Sequence, residues 1–406
     1  MHRSRLFAQH LPEFGWEPIV LTVDEKYYEE ALDWNLFKLL PKVQRIEKAK
    51  AFRITKPRLI GDIGLRAFFQ LRKKARQLVE SEKIDFVYIP IPSFYVSLIG
   101  PWLHRKTGVR YGIDYIDPWV HYFPGSEKVF SRHWISTKIA KWLEPIAVKT
   151  AVLITGVAEG YYKGVIERNS FLLKNAVFVA MPYGGEEQDH TMVKILSLKP
   201  YLFSTELGII QLLYAGAMLP KAYGPLRKIF EAISSNMVLY SNIKIHFIGT
   251  GKSANDEEGF NIKPLAIEYG LWQNIVFEYP ARIPYLDVLV HLNEADGVLI
   301  LGSTEPHYTP SKVYQGVLSK KPIAAILHAE SSACEFIKQS NAGVVLDFKG
   351  EDDLHGIKDK FNDFFQSYLN YLNSYDPKKV NKVVFDKFSA RSVTEMLAKK
   401  LDELIT

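Results

Sequence analysis

Residues Glu294 to Ile326, EADGVLILGSTEPHYTPSKVYQGVLSKKPIAAI, constrain the fold more than any other stretch of the chain. Gly297 to Leu301 is an apolar run of strand length, and Gly302 to Thr309 is polar without a period. Pro310 stands where a helix can begin, because its ring fixes φ near the helical value and its missing N–H is no loss in a first turn. Val313, Tyr314, Val317 and Leu318 then recur at helical spacing. Lys320 and Lys321 put cations at the negative end of that helix, and Pro322 stops it. Ile323 to Leu327 is a second apolar run. Strand, loop, helix and strand in that order make a βαβ unit, which belongs in a parallel sheet. The helix would aim unpaired N–H groups at the loop, with Ser311 adding a hydroxyl and Lys312 a full charge, so the loop is a candidate anion site. An ordinary crossover that begins Pro-Ser-Lys reads the same way, and this stretch alone does not separate the two.

The same alternation runs through the whole chain. In the first half, strands are expected at Pro18–Val23, Asp85–Ile91, Arg110–Ile116 and Val177–Met181, with helices at Leu65–Val79 and Pro92–Thr107 and a helix leading into a strand from Trp134 to Ile154. Glu25 to Lys56 has weak periodicity and reads as irregular. Gly184 to about Phe203 is polar and reads as a linker. The pattern then restarts with strands at Ile209–Tyr214, Lys244–Ile248 and Asn274–Glu278. With 406 residues the chain exceeds one typical core. The expected fold is α/β: two Rossmann-like doubly wound domains facing a cleft, one over 1–190 and one over 204–385, with a terminal helix in 386–406 packing back on the first. The chain opens on a helix, not on the strand and Gly-rich turn that usually begin such a domain. The expectation here is that Met1 lies inside a longer reading frame.

Composition narrows the function classes. One cysteine, Cys334, excludes an internal disulfide framework and fits a reducing compartment. No apolar run reaches the roughly 18 residues that span a bilayer. Residues 1–200 carry 30 Lys and Arg against 21 Asp and Glu, whereas the rest carries 21 against 24, so the basic excess sits in the first half. That asymmetry suits an anionic partner, and a merely solvated lysine-rich surface would look alike. No nucleic-acid recognition module is visible.

In doubly wound sheets ligands bind beyond the carboxyl ends of the strands. Four loops of the second half fall there: Gly216–Gly224, Gly249–Lys252, Tyr279–Pro284 and Gly302–Thr309. Gly249-Thr250-Gly251 lacks the third glycine of a dinucleotide fingerprint, and no Walker loop is present.

The segments LLYAGAMLPKAYGPL, IHFIGTG, VFEYPARIPYLDVLVHLNEADGVLIL and TPSKVYQGVLSKKPIAAI together resemble the nucleotide-sugar domain of GT-B glycosyltransferases of family 4, and RSRLFAQHLPEFGWEPIVLT, GIDYIDPW and LITGVAEGYYKGV resemble their first domain. The last of the second-domain segments is similar to the family's Pro-Ser-Lys-x-Tyr-Glu helix. The resemblance implies sugar transfer from a nucleotide-sugar donor to a cell-envelope polysaccharide or lipid-linked acceptor, with retention, without a metal or other cofactor, in the cytoplasm or peripherally on the inner face of the plasma membrane. It implies donor contacts from Gly216, Lys221, Gly249, Ser311 and Lys312, and base contacts from Arg282 and Tyr285. Gln315 and His307 stand where the family has its paired glutamates, and Glu305 lies nearby out of register. Asp114 and Asp117 are the candidate catalytic carboxylates, beside a competing reading in which Asp117 caps the turn before Pro118. The departures at Gln315 and His307 keep two alternatives open: an inactive GT-B relative acting as a binding subunit, and a sugar-nucleotide epimerase.

Overall fold

The computed structural model describes residues 2–29, 31–41, 43–54, 61–91, 93–120, 127–253, 256–306 and 308–405. The chain divides into two compact units. The first comprises Met1–Leu32, Pro41–Pro182 and Val393–Thr406, and the second Asp33–Leu40 and Tyr183–Ser392.

The strands of the first unit are β1 (Ile19–Val23), β2 (Arg45–Ala49), β3 (Phe86–Ile91), β4 (Arg110–Tyr115), β5 (Leu153–Gly156) and β6 (Val177–Ala180). Its helices are α1 (His2–His10), α2 (Ile63–Glu82), α3 (Ile99–Thr107), α4 (Arg132–Val148), α5 (Glu159–Arg168) and the short α6 (Leu172–Asn175). The strands are all parallel and form two sheets, β1-β2 and β3-β4-β5-β6. The strand β2 falls in the stretch expected to be irregular. It alternates weakly (RIEKA) and pairs on one side only, so nothing in it demands a continuous apolar run.

The second unit holds β7 (Ile210–Ala215), β8 (Ile243–Ile248), β9 (Val276–Tyr279), β10 (Gly297–Leu301), β11 (Ile323–His328) and β12 (Gly343–Phe348). Its helices are α7 (Glu187–Ile195), α8 (Tyr223–Ser235), α9 (Lys263–Glu268), α10 (Tyr285–Glu294), α11 (Lys312–Leu318), α12 (Ser332–Ser340), α13 (Leu354–Ser374) and α14 (Lys382–Asp386). One parallel sheet runs in the order β12-β11-β10-β7-β8-β9. Every residue of β10 and β11 is buried, which is why both read as unbroken apolar runs. Two clusters cover the two faces. One centres on Phe230, Phe247, Phe361 and Phe365, the other on Leu289, Ile300, Tyr314 and Phe336.

Two boundaries differ from expectation. The second unit begins at Tyr183, and the stretch read as a linker contains α7. Asp33–Leu40 also joins the second unit, because Leu36 and Leu39 bury in its core and the Asp33 carboxylate accepts from the Tyr285 backbone N–H at 2.6 Å. The last helix, α15 (Ala390–Ile405), enters the first unit at Val393, where Val393, Leu397 and Leu401 pack with Phe7, Leu153 and Met181.

Candidate functional site

The sheet order of the second unit reverses between β7 and β10: chain order runs outward from β7 through β8 to β9, and outward from β10 through β11 to β12. Such a switch point leaves a crevice at the carboxyl ends of the two central strands. The loops beside it are the one from Gly216 to Ala222 after β7 and the one from Gly302 to Ser311 after β10. They are tied together where the Thr304 backbone N–H donates to the Lys221 carbonyl at 3.2 Å.

Lys312 opens α11 and reaches into this crevice. Its Nζ is shut off from water and has no hydrogen-bond partner among the described residues. It lies 3.6 Å from the centroid of the Tyr214 ring, at the end of β7. A ring face compensates part of a lost hydration shell and supplies no acceptor for the three N–H donors. Burial therefore pulls the Lys312 pKa down to about 7. Beside it stands Gly216, whose φ of +113° suits no ordinary side chain and whose missing Cβ would lie 3.5 Å from Nζ. A buried cation with no hydrogen-bonded anion among the described residues is suited to receive an anion from outside.

The other residues singled out in the second unit fall into two groups. Lys221 is exposed, 3.8 Å from Glu305 and on the loop beside Gly216. Gly249, at φ +72°, follows β8, and a Cβ there would stand 3.7 Å from Arg282, whose side chain is exposed. These three stand at the same ends of the strands. Tyr285, by contrast, donates its hydroxyl to Asp189 at 2.9 Å, in α7. Gln315 uses its Oε1 to pair with His190 Nε2 at 2.9 Å. Burial lowers the His190 pKa, so the ring is neutral near pH 7 and Nε2 carries the donated proton. One lone pair of the Gln315 oxygen is thereby taken, leaving the other and the amide N–H groups to offer a ligand. Ser311 is the exposed residue ahead of α11, and its side chain makes no capping bond to the helix. His307 lies outside the described residues.

In the first unit Asp114 is fully buried at the end of β4, and its carboxylate is spoken for. Arg3 Nε donates to Oδ2 at 2.6 Å and Nη2 to Oδ1 at 3.2 Å, while Thr155 Oγ1 donates to Oδ1 at 2.7 Å. Asp117, two residues beyond β4, is exposed. A shallow cavity of about 490 Å³ lies at the amino ends of β4 and β6, beside Arg110, Lys174 and Glu403, at the wrong end of the sheet for a doubly wound site.

The His190–Gln315 pairing and the isolation of Lys312 were not readable from sequence, since both depend on residues more than ninety positions away.

No protein-family model and no curated protein matches this chain. Solved structures do match over its whole length. A glycosyltransferase from Rickettsia africae matches with a TM-score of 0.62 at 14% identity, covering 100% of this chain and 94% of its own. Anabaena HepE in complex with UDP-glucose matches at 0.61 and 11% identity, covering 99% and 96%. Sucrose-phosphate synthase from Thermosynechococcus elongatus matches at 0.66 and 12% identity, covering 99% and 92%. The chain has the GT-B fold, two Rossmann-like domains, that these proteins share.

Proposed function

We propose that this protein is a glycosyltransferase that binds a nucleotide-sugar at the β7–β10 switch point and transfers the sugar to a cell-envelope polysaccharide or lipid-linked acceptor. The observation that carries the reading is the buried Lys312 Nζ beside Gly216, without a hydrogen-bond partner among the described residues. In the reaction the bond from the anomeric carbon to the diphosphate oxygen breaks, an acceptor hydroxyl oxygen takes its place, and the nucleoside diphosphate leaves with the electron pair. Lys312 would hold the negative charge that develops on the leaving diphosphate, with Lys221 at the rim. The acceptor proton would pass to a carboxylate, for which Asp117 is the exposed candidate. Asp114, with both oxygens engaged, is assigned to holding the first unit together. The resemblance of the Pro310–Leu318 segment to family 4 supports retention, and protein cations at the diphosphate support a metal-independent reaction. A cytoplasmic enzyme at the inner membrane face suits a lipid-linked acceptor.

A binding-subunit reading is favoured by one observation, the neutral Gln315–His190 pair where the family carries a carboxylate. Calorimetric titration of the full chain with UDP, GDP and ADP separates the two. HepE was solved with UDP and with UDP-glucose, so UDP is the first probe. Micromolar binding of one diphosphate, followed by hydrolysis or transfer of the sugar from the corresponding nucleotide-sugar, supports the transferase. Binding without turnover over a broad acceptor screen supports the subunit. No binding to any diphosphate by a folded sample overturns both.

The site also sets a pH dependence. Lys312 gives up its proton near pH 7 in the unliganded protein, whereas a diphosphate binds the ammonium form. Affinity for UDP should fall as pH rises above 7, by roughly tenfold per unit once the free site is mostly neutral. The sign for folding is the reverse. The unfolded chain keeps this proton to about pH 10.4, so the unliganded protein gains stability from Lys312 deprotonation between pH 7 and 10. Titrations at pH 6.5 and 8.5 check the first statement, and equal affinities would remove Lys312 from the diphosphate.

A further inference from the structure

Helix α4 of the first unit carries an apolar line on its outer face. Ile135, Ile139, Trp142 and Ile146, spaced four, three and four apart, are all exposed, Trp142 to 70%. The opposite face packs inward through Ala140, Glu144, Ala147 and Val148. Just before the helix, Val129 and Phe130 are exposed to 61% and 81%. A surface helix of a water-soluble protein normally puts charged residues along that line. A contiguous apolar strip of this kind marks an interaction face.

The charges around the strip say what covers it. At 100° per residue Arg132 flanks the strip on one side and Lys138 and Lys149 on the other. Lys138 Nζ lies 5.4 Å from the centroid of the Trp134 ring, its stem along apolar surface and its head at the edge. Between Lys128 and Lys149 the sequence has one carboxylate, Glu144, which is buried and held by Arg168 at 2.8 and 2.9 Å and by Asn169. The exposed face of the helix is therefore apolar in the middle and cationic at both edges, with Glu127 an exposed carboxylate just ahead of Val129 and Phe130. A second copy of the chain docking through the same face would bring cations against cations. An anionic bilayer surface supplies both the apolar interior and the negative edge.

We propose that α4 is a membrane-docking helix, lying in the interface plane of an anionic bilayer with Ile135, Ile139, Trp142 and Ile146 inserted and Arg132, Lys138 and Lys149 at the headgroups. No helix among the described residues is long and apolar enough to cross a bilayer, so the mode is to lie on it. Helix α2, which carries Arg66, Arg72, Lys73, Lys74 and Arg76, is less suited. Arg72 is stacked on Phe69 and Trp102, Lys74 is paired with Glu47, and Arg76 with Glu80. The assignment uses none of the donor-site residues, so vesicle binding and UDP binding can fail independently.

The test is flotation of the full chain with vesicles of phosphatidylglycerol and phosphatidylcholine in equal parts, against phosphatidylcholine alone. The expected result is at least roughly tenfold stronger partition to the anionic vesicles, weakening with salt. Ile139→Ser with Trp142→Ser, and separately Lys138→Glu with Lys149→Glu, should each reduce it roughly tenfold or more, at positions exposed enough to leave the fold intact. Val238→Ser, an equally exposed apolar residue in the second unit, should change nothing. UDP titration and circular dichroism confirm that each variant is folded. Brominated phospholipid should quench the wild-type tryptophan emission more than that of Trp142→Phe. Equal binding to both vesicle types, variants that bind like the wild type, or a concentration-dependent dimer abolished by Ile139→Ser with Trp142→Ser would each overturn the assignment, the last giving the face to a second copy.

Discussion

Lys312→Met should weaken UDP binding by roughly 10- to 100-fold and at the same time raise the unfolding midpoint of the unliganded protein. The two effects have one cause. In the unliganded state the ammonium is buried with only the Tyr214 ring for company, an arrangement that costs folding free energy because no acceptor replaces the lost water. Methionine keeps the unbranched stem and the contact with the ring while removing the charge. Relief of the buried charge should be worth about 1–3 kcal/mol, and at about 2–4 °C per kcal/mol for a unit of this size the shift is visible by calorimetry. A diphosphate restores what the fold withholds, so loss of the charge-assisted contact should take about 1.5–3 kcal/mol from binding. Opposite signs are what distinguish a ligand-binding lysine from a packing one. A variant that loses stability together with affinity would show that Lys312 serves the core, and one with unchanged affinity would place the diphosphate elsewhere.

The second unit was legible in the sequence because its sheet is covered on both faces. Runs such as GVLIL and IAAILH have no alternative but a buried parallel strand, and β10 and β11 lie where those runs predict them. The candidate loops followed from the strand ends for the same reason. What stayed hidden depends on pairings between distant residues. Helix α7 looks like linker in sequence because Asp189 and His190 are polar, yet both are buried, Asp189 accepting from Tyr285 and His190 pairing through Nε2 with Gln315. Asp33–Leu40 looks like an irregular stretch of the first domain, yet two leucines and one carboxylate commit it to the second. The start of α11 shows the limit in miniature. Pro310 and Ser311 have the residue types of a first turn, but the helix begins at Lys312. The feature that matters there, an ammonium with no partner, is a statement about every atom around it and no short motif encodes it. Asp114 shows the converse. Its carboxylate at the end of a strand is bound by an arginine 111 positions earlier, a partner no local motif announces.

Arg3→Ala should destabilise the first unit by about 3–5 kcal/mol, among the largest effects of any single substitution in this chain. Arg3 and Asp114 are both buried, at 3% and 0% exposure, and the pair is two-pronged. Arg3 also donates from Nη1 to the Pro182 carbonyl at 2.9 Å and lies over the Phe7 ring. One guanidinium thus joins α1, the end of β4 and the chain just past β6. Removing it leaves a carboxylate at zero exposure that still accepts from Thr155 but has lost its cation, and an uncompensated buried charge is the costly product of breaking such a pair. Asp114→Asn should cost less, because the amide can still accept from Thr155, while it strands the arginine. The double variant Arg3→Met with Asp114→Asn should recover much of the loss, since neither charge then remains buried. Urea unfolding of the four proteins measures the coupling, and UDP titration reports whether the second unit is untouched. If Asp114→Asn leaves the unfolding midpoint where it was and abolishes sugar transfer, then Asp114 is a reacting group after all and its structural assignment falls. If the midpoint drops and UDP affinity holds, the proton acceptor has to be sought at Asp117.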